Sequence, residues 1–371
     1  MRLLKFDTIH PHDYLLSKQA AWKSEIDSWT KTEYYNNLIA LRCNFSDFYT
    51  YNLNKLSWQS EEFFINDWMY TYKLAKELYG NSYKAKRLLN LLKNKAGLVE
   101  PGWNLKVVRD YIEEFKPDVI FCREHTNIPS SFWKPYKKKI LLVSRLSAHL
   151  PIDWSPLDFD LIYTDLPYYR DFFVFNKIDT LYNHHGFDER VLNELTVTDK
   201  SHDVVFIGGL DQQIFSKRTA FITELAKDEQ YQFKWWGYYS GSLDQRLMDT
   251  YNGLAAGIDM FNIYRNSKMV INDYIDIAGG TAVNQRIYEV MGVGSLLLTR
   301  ESSTIHDYFP KGSIVTYTSL EDCKEKIRYY LKHEEERQQI AALGQSVILE
   351  KYNYRNLMKQ LSQEMKDRVN V

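Results

Sequence analysis

Short apolar runs alternate with longer segments of helical period along most of the chain. In the first half, the runs 3–6, 63–66, 118–122, 140–143, 161–164 and 180–182 have the length of strands. Between them, segment 105–115 places Val107, Val108, Tyr111, Ile112 and Phe115 at helical spacing. The second half repeats the pattern, with strand-like runs at 203–207, 232–236, 269–272, 295–299 and 314–316. Helical segments at 217–227, 284–292 and 320–333 separate them. Such alternation predicts parallel sheets covered by helices, and its recurrence predicts two Rossmann-like α/β domains. A chain of 371 residues also exceeds what one hydrophobic core usually holds. The polar, aperiodic stretch 183–202 marks the joint. The expected division is 1–183, 184–350 and a C-terminal helix at 351–371, with the N-terminal domain as its candidate packing partner.

Composition narrows the function classes. A net charge of −1 gives no electrostatic reason to expect a nucleic-acid partner. The three cysteines, Cys43, Cys122 and Cys323, are far apart and odd in number, which argues against a disulfide scaffold or a zinc site. A reducing, cytoplasmic compartment fits. Residues 1–6 turn polar too soon for a signal peptide, and no run reaches the roughly 20 apolar residues of a spanning helix. Any membrane role is therefore expected to be peripheral, at the inner face. Segment 83–95 is the candidate: Lys84, Lys86, Arg87, Lys93 and Lys95 flank Leu88, Leu89, Leu91 and Leu92. The plainer expectation is a surface helix that packs those leucines on the sheet.

Ligands of open parallel sheets bind beyond the C-terminal ends of strands. The run 203–207 ends in Gly208 and Gly209, and the next helix carries Lys217 and Arg218. Glycines there let a ligand approach the backbone, and the two cations suit a diphosphate. A richer pattern follows 269–272. A loop containing Gly280 and Thr281 leads to Asn284, Gln285, Arg286 and Glu289 on a helix that Gly292 and Gly294 terminate. Free amides at a helix start favour phosphate, Arg286 adds a charged fork, and Glu289 can accept from a ribose diol. The plain alternatives are an ordinary βα turn and a solvated Arg–Glu pair spaced i,i+3.

The stretch 284–299 resembles the donor-site helix of group 1 glycosyltransferases, and more closely the spore-maturation-protein (CgeB-like) branch. The resemblance covers about 180–360 and includes the opening 203–209. It implies a GT-B fold, two Rossmann-like domains facing a central cleft, with the donor on the C-terminal lobe and the acceptor on the N-terminal one. It implies a nucleotide-sugar donor, with Glu289 holding ribose and Asn284, Gln285 and Arg286 at the diphosphate. Lys217 and Arg218 fall near a phosphate-facing position, and Trp236 near the base. The wider group often carries a second glutamate where this chain has Thr281, which leaves the stereochemistry open. No cofactor or metal is implied. Asp273 and Asp276 follow a strand but lack the setting of a metal pair. The acceptor is expected to be a glycan or a lipid-linked glycan. For a catalytic base, His10, His12, Asp13, Glu124 and His125 all follow N-terminal strands, with His125 and Asp13 ranked first. His184, His185 and Gly186 read as a hinge. A hydrolase or epimerase on the same fold, or a non-catalytic nucleotide-sugar-binding protein, are the competing readings.

Overall fold

The computed structural model describes residues 1–95, 102–147, 150–151, 153–196, 200–274 and 284–369. The chain forms two compact units. The first comprises Met1–Thr164, Asp171–Leu181 and Met358–Val371, and the second Asp165–Arg170 and Tyr182–Leu357.

The first sheet has strands β1 (Arg2–Asp7), β2 (Gln59–Phe64), β3 (Val119–Cys122), β4 (Leu141–Leu146), β5 (Leu161–Thr164) and β6 (Thr180–Tyr182), in the order β2-β1-β3-β4-β5-β6. Its helices are α1 (His12–Ala21), α2 (Lys31–Ala40), α3 (Phe48–Asn54), α4 (Trp68–Tyr79), α5 (Tyr83–Lys95), α6 (Trp103–Phe115) and α7 (Pro167–Phe175). Local chemistry fixes several starts. Thr30 and Glu33 make a reciprocal capping box on α2, and the Asp67 carboxylate accepts from the amides of Met69 and Tyr70 on α4. Helix α6 buries the five apolar residues its period predicts. The β2 strand begins earlier than the expected 63–66. Its first four residues, Gln59 to Glu62, are polar and hide from a search for apolar runs. An edge strand tolerates this because Ser60 Oγ donates to the Thr50 carbonyl and Glu62 accepts from Lys5.

The second unit continues with β7 (His202–Ile207), β8 (Leu210–Asp211), β9 (Phe233–Trp236), β10 (Tyr239–Ser240), β11 (Ser267–Asn272), β12 (Leu296–Arg300) and β13 (Val315–Tyr317). The main sheet runs β13-β12-β11-β7-β9, and β8 pairs with β10. Helices α8 (Ser216–Ala226), α9 (Gln245–Met248), α10 (Gly257–Arg265), α11 (Gln285–Gly292), α12 (Ile305–Tyr308), α13 (Leu320–Lys332) and α14 (Glu334–Lys351) follow, and α15 (Tyr354–Val369) belongs from Met358 onward to the first unit. The registered pairs in both large sheets are parallel. Parallel strands covered on both faces read as unbroken apolar runs, which is why Val119 to Cys122 and Leu296 to Leu298 are buried throughout. Val204, Phe206, Ile222, Leu225, Trp235, Ile271, Leu298 and Ile327 join in the core of the second unit.

Each sheet reverses its order once. The chain goes from β1 to β2 on one side and then to β3 on the other. It goes from β7 to β9 on one side and then to β11 on the other. The two switch points, β1/β3 and β7/β11, are where such sheets open a crevice at the strand ends.

Candidate functional site

At the second switch point the backbone comes first. Gly237 has φ +142°, and a Cβ there would lie 2.1 Å from the Gly208 carbonyl oxygen. The Gly208 amide donates to the Trp236 carbonyl at 2.9 Å. A Cβ on Gly208 would meet the Arg286 guanidinium at 2.8 Å, and one on Gly209 would meet the Tyr238 ring at 2.4 Å. Glycine is thus required at 237, where a side chain would strike backbone, while at 208 and 209 the close neighbours are side chains.

The guanidinium over Gly208 reaches it from the first turn of α11. Arg286 Nη1 donates to Asn272 Oδ1 at 2.9 Å, and its carbon stands 5.3 Å from the Phe206 ring centre. Its Nε is buried and has no hydrogen-bond partner among the described residues. Asn272, the last residue of β11, exchanges amide hydrogen bonds with Asn284 at 3.1 and 2.9 Å and also donates to Thr299 Oγ1. Asn284 occupies the N-cap position but spends its side chain on Asn272 and makes no cap bond. The leading amides of α11 are therefore not closed by their own cap residue.

One turn along, half-buried Glu289 accepts from Gln285 Nε2 at 2.8 Å. Burial pushes its carboxyl up to about 7, against the opposing pull of Arg286 and the Gln285 bond. Arg218 is buried at the start of α8, donates to the Gly209 carbonyl at 3.3 Å and stands over the Phe215 ring, while its neighbour Lys217 is exposed. Asp273, at the end of β11, is clasped by Arg300 through Nε at 2.7 Å and Nη2 at 2.9 Å. Burial raises its carboxyl, with Arg300 and Arg218 opposing. That clasp gives Asp273 a structural partner.

The structure therefore gathers Gly208, Gly209, Arg218, Asn284, Gln285, Arg286 and Glu289 at the ends of β7 and β11. Trp236 closes β9 and is buried. Gly280, Thr281 and Asp276 lie outside the described residues. Sequence reading passed over Asn272, which orients both Asn284 and Arg286, and Gly237, whose contact sets the turn. An asparagine closing an apolar strand was the available signal for the first.

In the first unit the candidate bases separate. Asp13 is exposed in the first turn of α1. His125 packs against Trp154 and Phe159, and its Nε2 lies 2.9 Å from the Arg145 carbonyl, so that nitrogen carries the proton as donor. Burial lowers its imidazole to about 4, which makes it a weak base at neutral pH. Glu124 accepts from the amides of Thr126 and Asn127. His185 pairs with Asp165, and His184 lies beside Tyr288 and Tyr352, so both histidines are held in the second unit's packing.

Residues 217–363, less than half of the chain, match the model of the family described as glycosyl transferase-like. No curated protein matches the sequence. Among solved structures the chain is similar to HepE of Anabaena in complex with UDP-glucose, with TM-score 0.58 and 12% identity over 99% of this chain and 100% of that one. It is similar to a glycosyltransferase from Rickettsia africae (TM-score 0.55, 9% identity, 99% and 98% covered). A sucrose-phosphate synthase from Thermosynechococcus elongatus gives 0.55 and 8% over 99% and 98%. At these identities the likeness shows the fold, which is GT-B.

Proposed function

We propose that the second unit binds a nucleoside-diphosphate sugar at the ends of β7 and β11, and that the protein transfers the sugar to a glycan, free or lipid-linked. The observation that carries this reading is Arg286. Its guanidinium lies over a glycine at a switch point, beside uncapped helix amides, with a buried Nε awaiting an acceptor. A diphosphate oxygen supplies that acceptor.

As the bond between the sugar and the diphosphate breaks, negative charge grows on the leaving group. Arg286, Arg218 and the first amides of α11 stabilise it, with Lys217 at the rim, so the proposed route needs no metal. Glu289, oriented by Gln285, accepts from the ribose diol, and Gly208 and Gly209 allow the phosphates close to the backbone. Gly280, Thr281 and Trp236 remain candidate donor contacts. The acceptor hydroxyl requires a base. Asp13 is the exposed one of the two candidates, and His125 is better suited to positioning. The family match to 217–363 and the UDP-glucose bound by HepE support the donor class. The resemblance to the spore-maturation-protein branch stays part of this reading. Three buried free cysteines fit a reducing, cytoplasmic setting.

Calorimetric titration with a panel of nucleoside diphosphates, UDP first, tests the site. Binding of at least one, weakened in both Arg286→Ala and Glu289→Ala, is the expected result. If both variants bind as the parent does, the site is misplaced. Turnover of the matching donor only when a glycan is present then separates transfer from hydrolysis.

A further inference from the structure

Helix α5 is amphipathic with its sides reversed. Of its described residues only Tyr83 and Asn90 are buried, and they lie on one side. The opposite side presents Leu88, Leu89, Leu91 and Leu92, exposed to 58, 51, 49 and 55%. At 100° per residue these four span an arc of about 160° centred away from Asn90. Lys86 and Lys93 border the arc on one side, Arg87 borders it on the other, and Lys84 and Lys95 stand within it at the two ends of the helix. The helix carries five cations and no carboxylate. The expectation that the leucines pack on the sheet is therefore overturned. Tyr83 and Asn90 take the inward side, and Tyr83 meets Tyr72 and Trp103 edge-on.

Beside α5 runs a groove towards α6, lined by Lys86, Leu89, Asn90, Lys93, Lys106 and Arg109 among others. Asn90 is 5% exposed, and its Nδ2 has no hydrogen-bond partner among the described residues. A buried amide donor without an acceptor, in a groove with four cations, suits a phosphate oxygen. Asp110 and Glu113 also line it, but Asp110 is engaged by Lys106 at 2.7 Å and by the Tyr79 hydroxyl at 2.8 Å.

We propose that α5 lies flat on an anionic lipid bilayer, its leucines in the acyl boundary, its cations at the headgroups, and the α5/α6 groove seating a lipid phosphate. Leucines flanked by lysine and arginine are the composition that partitions to an interface. Charge complementarity selects an anionic surface, because five cations with no carboxylate gain from negative headgroups and lose with added salt. Among the described residues no helix is long and apolar enough to cross a membrane, so the contact is peripheral. The inference stands independently of the nucleotide site.

The test is flotation of the full chain with vesicles of phosphatidylcholine, alone or mixed with phosphatidylglycerol, at low and high salt. Salt-sensitive binding to the mixed vesicles only is expected. Leu88→Ser/Leu92→Ser should weaken it about tenfold or more. Lys84→Glu/Lys93→Glu should weaken it at least about twentyfold, at about fivefold per cation removed. The four replaced residues are exposed, and unchanged melting with unchanged nucleoside diphosphate binding checks that the variants are folded. Equal binding to both vesicle types, no binding to either, or binding that the variants leave intact overturns the proposal. A concentration-dependent dimer that the leucine variant abolishes, without vesicle binding, assigns the face to a second copy and also overturns it.

Discussion

The two switch points are built from opposite materials. In the first unit, Lys5 of β1 is buried between Asp7 at 2.8 Å and Glu62 at 2.7 Å, and Arg123 after β3 reaches Asp7 at 2.9 Å. Opposite charges fill the space between the β1 and β3 ends and pair with one another, although Arg123 keeps a buried Nε without a hydrogen-bond partner among the described residues. Burial raises Asp7, but Arg123 and Lys5 outweigh it and hold the carboxyl below its usual range. In the second unit, the equivalent gap holds glycines, an asparagine pair and one arginine with an unused donor. A crevice closed by its own ion pairs serves the fold. A crevice lined by glycines and amides around one arginine serves a ligand. The same topology therefore separates support from binding by whether opposite charges or glycines and amides line the gap.

Breaking the first crevice should cost most. Lys5→Met leaves Asp7 and Glu62 buried without their shared cation, and a loss of about 3–5 kcal/mol in urea unfolding is expected. Lost stability of under about 1 kcal/mol would mean that water or Arg123 replaces the lysine, and the contrast between the crevices would fail. Next comes the turn that shapes the second crevice. Gly237→Ala drives a methyl against the Gly208 carbonyl at a backbone angle that disfavours side chains. About 2–4 kcal/mol should be lost. Gly209→Ala makes the sharper control, because the atoms it meets belong to the partly exposed Tyr238 ring, which can move. Its stability should change by less than about 1 kcal/mol.

Arg286→Ala reverses the balance shown by Lys5. Its stability should fall little, since its polar partner Asn272 Oδ1 also receives the Asn284 amide. Nucleoside diphosphate affinity should fall about 30-fold or more, as expected for a charged group that meets a phosphate in a partly desolvated site. Equal losses of stability and affinity would make the residue structural and erase the distinction.

How much of this was legible beforehand follows from what each contact is made of. The apolar runs of buried parallel strands, the helix at Gln285 and the glycines after β7 announce themselves through period and residue type. The polar strand β2 does not, because its stability comes from partners 57 residues away in the Lys5–Glu62 pair. Nor does Asn272, whose role appears only when β11 and α11 meet. The exposed side of α5 was the hardest. Its period is helical either way, and nothing local says whether leucines or Asn90 turn inward. His125 carries a plausible residue type at a strand end, yet its basicity is set by Trp154 and Phe159, which are remote in sequence.

The smallest effect sharpens the comparison most finely, because two glutamates titrate alike for different reasons. Burial pushes both Glu62 and Glu289 up to about 7, but Lys5 and Thr50 bond the first while Gln285 and Arg286 attend the second. A carboxyl raised in the folded state holds its proton more tightly than in the unfolded chain. Its contribution to stability is complete below the unfolded value near 4.5 and is lost as pH rises through about 7. Glu289→Gln keeps the shape and removes the charge, so the free protein should gain more stability at pH 8 than at pH 5, measured by urea unfolding at the two pH values. Binding should move the other way. Diphosphate affinity in the parent should rise between pH 6 and 8 as Glu289 becomes a full acceptor for the ribose, and the Gln variant should flatten the part of that rise owed to Glu289. Glu62→Gln should leave the pH dependence of binding as it is, since that carboxyl belongs to the crevice that is already full. If the two variants changed the binding profile equally, the second crevice would owe nothing special to Glu289.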